Sequence, residues 1–447
     1  MSADTIFALA SAPGRAGIAV VRISGAKAEK ALNRLGRATP APRKAVRAKL
    51  ADPNSGELLD DGLAIWFPAP HSFTGEDVVE LHLHGGRAVI DSVLAALSSI
   101  GGLRPAEPGE FTRRAFGNDK LDLTQAEALA DLVDAESRAQ QRQALRQMGG
   151  ALKEITDDWR HRLVQALAHL EAVIDFPDED LPPDVAEKVW GEVRDLEKAI
   201  AAFLDDNHRA ERIREGLSIA ILGPPNAGKS SLLNALVKRD AAIVSAKPGT
   251  TRDVIEVHFE IAGFAVTVAD TAGLRAAADE IEDEGIRRAR ARAESADIRI
   301  ALFDGATYPA RDAETAALID DSTLVAVNKA DLLDQARDME IDTADGWRTT
   351  HFISVKTGFG MEALMRRLEE MIKKRFDGAG SAAITRARHR KALEDCRDAL
   401  ARSQTADLPE LAAEDLRLAA RALGRITGRV DVEEILDVVF REFCIGK

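Results

Sequence analysis

Between Gly223 and Ser230 the chain reads GPPNAGKS, a G-x-x-x-x-G-K-S spacing whose residue types suit the enclosure of phosphate. Glycines let backbone N–H groups turn toward phosphate oxygens, and a helix opening here would face the negative charge with its N-terminus. Lys229 would reach the outer phosphates and the Ser230 hydroxyl would ligate magnesium, with Asn226, Ala227, Gly228 and Ser231 completing the loop. Three further segments follow in the expected order. VTVADTAG ends a strand on Asp270, whose carboxylate can hold magnesium through water while Thr271, Ala272 and Gly273 approach the terminal phosphate. LVAVNKAD ends another on Asn328, Lys329 and Asp331. An aspartate there accepts both N1–H and N2–H of guanine, whereas adenine offers neither donor and leaves a carboxylate unpaired. FISVKTG adds Ser354, Val355 and Lys356 to the base pocket. The stretch Ser245, Ala246, Lys247, Pro248, Gly249 and Thr250 leads to Thr251, a switch residue able to close on magnesium. Motifs agreeing in order and context point to a guanine nucleotide.

Hydrolysis needs a group that orients water, and the position after D-x-x-G is Leu274, which cannot do so. Acids lie just downstream at Asp279, Glu280, Glu282, Asp283 and Glu284, and Arg252 and Arg275 are nearby. A cation beside the phosphates could counter the charge of the transition state, held by Asn226 and carbonyls of SAKPGTT. The residues alone leave these options open.

Strands alternate with helices from about Ile213 to Phe376, the texture of a doubly wound α/β domain. Residues 120–210 and the stretch beyond DGAGSAA are helical in pattern, and both read as halves of one helical domain interrupted by the α/β domain. Thr124 with Glu127 three residues later reads as a capping box. The first hundred residues mix strands and turns. With 45% hydrophobic and 30% charged residues the composition is that of a globular protein. The net charge of −14 opposes a general nucleic-acid binder, so a nucleic-acid substrate requires a local basic patch or a basic partner. Two cysteines exclude a disulfide framework and a Cys-rich metal site, and Cys396 has the setting of a helix-packing residue. Neither a membrane-spanning run nor a signal peptide is legible, so a cytoplasmic protein is expected.

DTIFALASAPGRAGIAVVRISG, FTGEDVVELHLHGG, PGEFTRRAF, KLDLTQAEALADLV, DFPDED, DTAGLR and the terminal FCIGK, with the phosphate-loop and GTTRD segments, closely resemble the MnmE/TrmE family of tRNA-modification GTPases. The likeness runs nearly end to end. It implies an N-terminal α+β folate-binding and dimerising domain over 1–118, a helical domain over 119–212 and 379–447, and an inserted Ras-like P-loop GTPase domain over 213–378. It implies a homodimer that forms a heterotetramer with a flavoprotein (MnmG/GidA) carrying FAD. Together they would add an aminomethyl or carboxymethylaminomethyl group to C5 of the tRNA wobble uridine. The carbon would come from methylene- or formyl-tetrahydrofolate, and the nitrogen from ammonia or glycine. Carried onto this sequence, the resemblance implies magnesium at Ser230 and Thr251, potassium at Asn226, Ser245, Lys247 and Thr250, and water orientation by Glu282 alongside Lys229 and Asp270. Folate would be held by Arg22, Glu80, Lys120 and the terminal Lys447.

Arg22 and Glu80 sit inside otherwise apolar strands, and the alternative for either is an edge position turned to solvent. Period-two alternation puts Glu80, His82 and His84 on one face, which also fits a metal site. Asp119 stands before Lys120 where glycine is more usual, and could draw it into an ion pair. The CIGK tail fits a prenylation pattern poorly, since Lys447 is an unusual last residue; an ordered tail serving the folate site is expected, with Cys444 near the reacting carbon but nothing adjacent to lower its pKa. The rival to this scheme is a potassium-activated switch without folate affinity. An enzyme complete in itself is disfavoured because no flavin fingerprint follows any strand.

Overall fold

The computed structural model describes residues 4–36, 39–175, 185–206, 208–239, 256–270, 295–333, 339–343, 346–376 and 384–430, and of the last stretch residues 436, 439, 440, 443 and 446. The chain forms two compact units, 1–130 with 147–201 and 391–447, and 131–146 with 202–390.

The first unit begins with six strands, β1 (Thr5–Leu9), β2 (Ala16–Ser24), β3 (Val46–Ala51), β4 (Leu58–Phe67), β5 (Val78–Gly85) and β6 (Leu103–Pro105). They form one sheet in the order β3-β4-β5-β2-β1-β6, antiparallel except for the β1/β6 pair. Alternation assigns the two faces. Val21, Ile23, Val79, Leu81 and Leu83 are buried with Leu32 and Leu35 of helix Ala28–Gly36 and with Val93 and Leu97 of helix Arg87–Ser98. The residues between them, Arg22 and Glu80 among them, are left to the opposite face. β2 and β5 are inner strands, so neither Arg22 nor Glu80 is an edge residue. The helical part pairs Ala151–Asp175 with Pro409–Thr427, burying Leu152, Trp159, Leu163 and Leu170 along one and Leu416, Ala419, Leu423 and Ile426 along the other. Burial of each leucine contributes about 1.5–3 kcal/mol.

Helix Leu123–Asp134 corrects the capping expectation. Asp122 accepts from the Gln125 backbone N–H at 2.9 Å, and Gln125 Oε1 accepts from the Asp122 N–H at 3.1 Å. The box is therefore Asp122 with Gln125; Thr124 donates to Asp122, and both Thr124 and Glu127 are buried.

In the second unit β7 (Leu217–Leu222), β8 (Glu256–Ile261), β9 (Phe264–Asp270), β10 (Ile298–Asp304), β11 (Thr323–Asn328), β12 (Met339–Thr343) and β13 (Gly346–Phe352) form a sheet ordered β12-β13-β11-β10-β7-β9-β8. The five central strands are parallel, and β8 and β12 are antiparallel edges. Ile219, Ile221, Val268, Ile300 and Leu302 bury against helices Lys229–Arg239 and Met361–Phe376, while Ala301, Phe303, Val325, Val327 and Phe352 form a core on the other face. Covering both faces explains the near-continuous apolar strands, and parallel strands deliver their C-terminal residues to one edge of the sheet. This is the doubly wound P-loop fold. Residues 131–146 pack with this unit: Ala139 enters its core, and Gln140 and Gln143 donate to the Arg214 and Ala210 carbonyls.

Candidate functional site

The phosphate loop leaves the C-terminal end of β7 and enters helix Lys229–Arg239. Gly223 has φ +151°, and a Cβ there would lie 2.2 Å from the Leu302 carbonyl oxygen; at Gly228, φ +97°, it would lie 2.3 Å from Asn328 Nδ2. Neither position admits a side chain. Asn226 takes the left-handed conformation without being glycine, at φ +64°, turning the loop between them. The Lys229 ammonium donates to the Gly223 and Pro224 carbonyls at 2.7 and 2.9 Å, which poises it over the loop. Ser230 and Ser231 open the helix at exposed positions. β9 ends on Asp270, which is level in the sheet with Ile221, two residues before the loop. Helix start, loop and strand end thus meet at one edge of the sheet, with the helix N-terminus and the loop placed to face an anion.

The residues expected to read the base converge from β11 and the segment after β13. Asn328 is buried; its Nδ2 donates to the Ala227 carbonyl at 2.8 Å and its Oδ1 accepts from the Val355 N–H at 3.2 Å. It therefore ties the phosphate loop to the segment carrying Lys356. Ser354, fully buried, donates its hydroxyl to Asp331 Oδ1 at 2.6 Å and accepts from the Thr357 N–H at 3.2 Å. That hydroxyl holds the Asp331 carboxyl below the usual carboxylate range, so it is ionised and ready for two N–H donors. Lys329, between them, has φ +62° and places its ammonium 2.6 Å from Asp304 Oδ2. Burial pushes the Asp304 carboxyl up, but the Lys329 ammonium and the Ala306 N–H outweigh it and hold it below its ordinary value. Asp304 escaped the sequence reading. The available signal was an apolar strand, IRIALFD, ending on an acid as VTVAD does.

Ser245, Ala246, Lys247, Pro248, Gly249, Thr250, Thr251, Thr271, Ala272, Gly273 and Glu282 lie outside the described residues, as do Cys444 and Lys447. Of the residues named for magnesium and potassium, Asn226 and Ser230 are therefore described, and Asp270 by its place in the sheet.

On the N-terminal sheet Arg22 and Glu80 are directly opposed across β2 and β5. The guanidinium donates from Nε at 3.1 Å and Nη2 at 2.9 Å to Glu80 Oε1, and lies 5.4 and 5.8 Å from the ring centroids of Phe73 and Phe111. The two side chains are 22% and 19% exposed, so the pair is reachable yet largely desolvated. His82 Nε2 stands 3.6 Å from Glu80 Oε2, a buried atom without a hydrogen-bond partner among the described residues. His84 instead joins Asp60: its Nδ1 lies 2.7 Å from Oδ1 and its backbone N–H donates to Oδ2 at 2.9 Å. Among the described residues no group of three His, Cys, Asp or Glu is placed to hold a metal. The hydrogen bond and charge of Asp60 push the His84 imidazole above its ordinary value.

Lys120 reaches the same sheet through the FTGED turn. A Cβ on Gly75, φ +78°, would lie 3.1 Å from Lys120 Cε, and Asn118 Nδ2 donates to the Thr74 carbonyl at 2.7 Å. Asp119 has φ +56°, which is why glycine suits that position, and among the described residues it makes no ion pair with Lys120. The chain's end arrives here too. Phe440 stacks obliquely on Phe116 and Phe443, a Cβ on Gly109 would lie 2.5 Å from the Phe440 carbonyl oxygen, and one on Gly446 would lie 2.1 Å from the Leu9 carbonyl oxygen. Leu9 follows Ala8, the β1 residue opposite Arg22. Cys396 is buried in its helix, and burial pushes its thiol up to about 12, as suits a packing residue.

Comparison with known proteins covers the whole chain. Residues 5–120 match the model of the GTP-binding protein TrmE N-terminus, and residues 123–444 match that of the MnmE helical domain. The tRNA modification GTPase MnmE of Paramagnetospirillum magneticum is 58% identical over 99% of this chain and 100% of its own length. The protein of the same name from Rhodospirillum rubrum is 55% identical over 100% of both, and that from Caulobacter vibrioides 50% identical over 99% and 100%.

Proposed function

This chain belongs to the MnmE family of tRNA modification GTPases, and from that premise we propose that its GTP hydrolysis is potassium-activated and serves a folate-dependent modification of the tRNA wobble uridine. The reaction adds an aminomethyl or carboxymethylaminomethyl group at C5, using a tetrahydrofolate one-carbon unit. It takes place in the cytoplasm on a homodimer joined to an FAD-carrying flavoprotein of the MnmG/GidA type. The domain limits follow the family's plan, 1–118, 119–212 with 379–447, and 213–378.

The chain's own groups divide the work at the nucleotide. Asp331 accepts the guanine N–H donors, Lys229 holds the outer phosphate oxygens, and Glu282 orients the water that attacks, because Leu274 cannot. Ser230 and Thr251 would hold magnesium, with Asp270 behind its water shell. Asn226, Ser245, Lys247 and Thr250 would hold potassium, which when bound counters charge on the transferring phosphoryl group.

The observation that carries the folate reading is the cross-strand Arg22–Glu80 pair, set against Phe73 and Phe111 with Gly446 at the neighbouring strand. A carboxylate beside a guanidinium can meet the fused N–H donors and acceptors of a pterin edge, and the aromatic rings can stack on it. Lys120 and Lys447 complement the anionic end of a folate. The absence of a strong positive charge balance, −14 overall, leaves the tRNA phosphates to a basic partner.

GTP turnover in matched potassium and sodium solutions, with reduced-folate binding to the same protein, tests the scheme. Faster turnover in potassium together with saturable folate binding is expected. Equal turnover would remove the potassium step, and absence of folate binding would favour a switch without one-carbon chemistry.

A further inference from the structure

We propose that Asp304 determines guanine specificity as a positioning residue, by fixing through Lys329 the left-handed turn that presents Asp331 to the base. β10 and β11 run parallel in a register that sets Asp304 beside Asn328. Immediately beyond, the Gly305 N–H donates to the Asn328 carbonyl at 2.7 Å, and a Cβ on Gly305 would lie 2.6 Å from that oxygen and 2.9 Å from the Lys329 carbonyl oxygen. The two strand ends are therefore clasped along the backbone, with no room for a side chain between them.

What happens next depends on Lys329. Its φ of +62° is a conformation that non-glycine residues adopt only when something holds them there. From it the chain enters the short turn Ala330–Leu332, the Ala330 N–H donates to the Ile353 carbonyl at 3.0 Å, and Asp331 meets Ser354. Asn328 cannot supply the restraint, because its amide is committed to Ala227 and Val355. The restraint is Asp304, whose Oδ2 receives the Lys329 ammonium at 2.6 Å and whose side chain is 13% exposed. Among the described residues Asp304 is the ionic partner of Lys329. Loss of the carboxylate frees the lysine and lets Asp331 drift from the geometry in which it accepts two guanine donors at once.

The experiment is equilibrium binding of GDP and of inosine diphosphate, which lacks the N2 amino group, to the full chain. An Asp304→Ala variant is expected to lose about tenfold of the wild-type preference for GDP over inosine diphosphate, by weakening GDP more than inosine diphosphate, which has N1–H alone to lose at Asp331. Asp304→Asn, isosteric and still an acceptor, is expected to keep part of the preference, and it decides the matter if the alanine variant does not fold. In a Lys329→Met background Asp304→Ala is expected to add little, because both changes break one connection. A merely structural role would weaken both nucleotides alike. A wild-type preference in Asp304→Ala, or in Asp304→Asn where that variant decides, would overturn the proposal, as would full additivity with Lys329→Met.

Discussion

The two candidate sites are built from different parts of the polypeptide. At the C-terminal edge of the parallel sheet the ligand-facing groups are largely backbone, and each segment that contributes is short and continuous: a loop of eight residues, a strand end, a turn. On the open face of the N-terminal sheet the groups are side chains, Arg22 and Glu80 paired across two strands, with Lys120 against the turn at Gly75 and Gly446 against β1 from the far end of the sequence. Backbone sites demand glycines and left-handed residues at fixed spacing, so they leave motifs in sequence. Side-chain sites demand only that a charge interrupt an apolar strand, which many solvated strands also do.

The difference predicts separable failures. Lys229→Ala is expected to lower GTP turnover by about a hundredfold or more, because no backbone group replaces its charge at the phosphates, while reduced-folate binding is unchanged. A steady-state phosphate-release assay beside folate titration reads both. Next in size, Glu80→Ala strands the Arg22 guanidinium on a partly buried face and should weaken folate binding about tenfold or more without altering GTP turnover of the isolated protein. Joint loss of both activities in either variant would break the comparison.

A smaller effect is expected from Gly446→Val. The added Cβ meets the Leu9 carbonyl and the residue must keep φ +100°, so the tail should detach, with a several-fold loss of folate affinity and normal nucleotide binding by titration. The smallest concerns His84 and Asp60. The imidazole is raised in the folded state, so its contribution is complete below about pH 6 and fades as pH rises through that raised value. Asp60 is lowered, so its part is present above about pH 4 and is lost on acidification. The melting temperature should therefore decline slightly from pH 6 to pH 8, and His84→Ala should flatten that slope; because His84 is exposed, the change should be small.

The same contrast explains what could be read from sequence. The alternation of buried strands and helices, with Asp270 and Asn328 closing their strands, makes the parallel sheet and its C-terminal edge legible from sequence. Asp304 was not legible, since an acid after a strand becomes meaningful only when β10 is known to neighbour β11. Likewise the helix start at Asp122 and Gln125 competed with an equally good Thr124 and Glu127 spacing two residues on. Arg22 and Glu80 could be suspected singly, but their opposition across inner strands, 58 residues apart, is a product of sheet order. His84 was grouped with His82 by alternation and separated from it by a partner, Asp60, on the adjacent strand.

The most direct test of the side-chain site is equilibrium binding of a reduced folate to the intact chain and to a chain ending at Phe443, with oligomeric state and folding matched. Since Gly446 rests on the strand beside Arg22, removal of the last four residues should weaken binding about tenfold while guanine-nucleotide affinity holds. Equal folate affinity in the two proteins would contradict the assignment of the tail to the site.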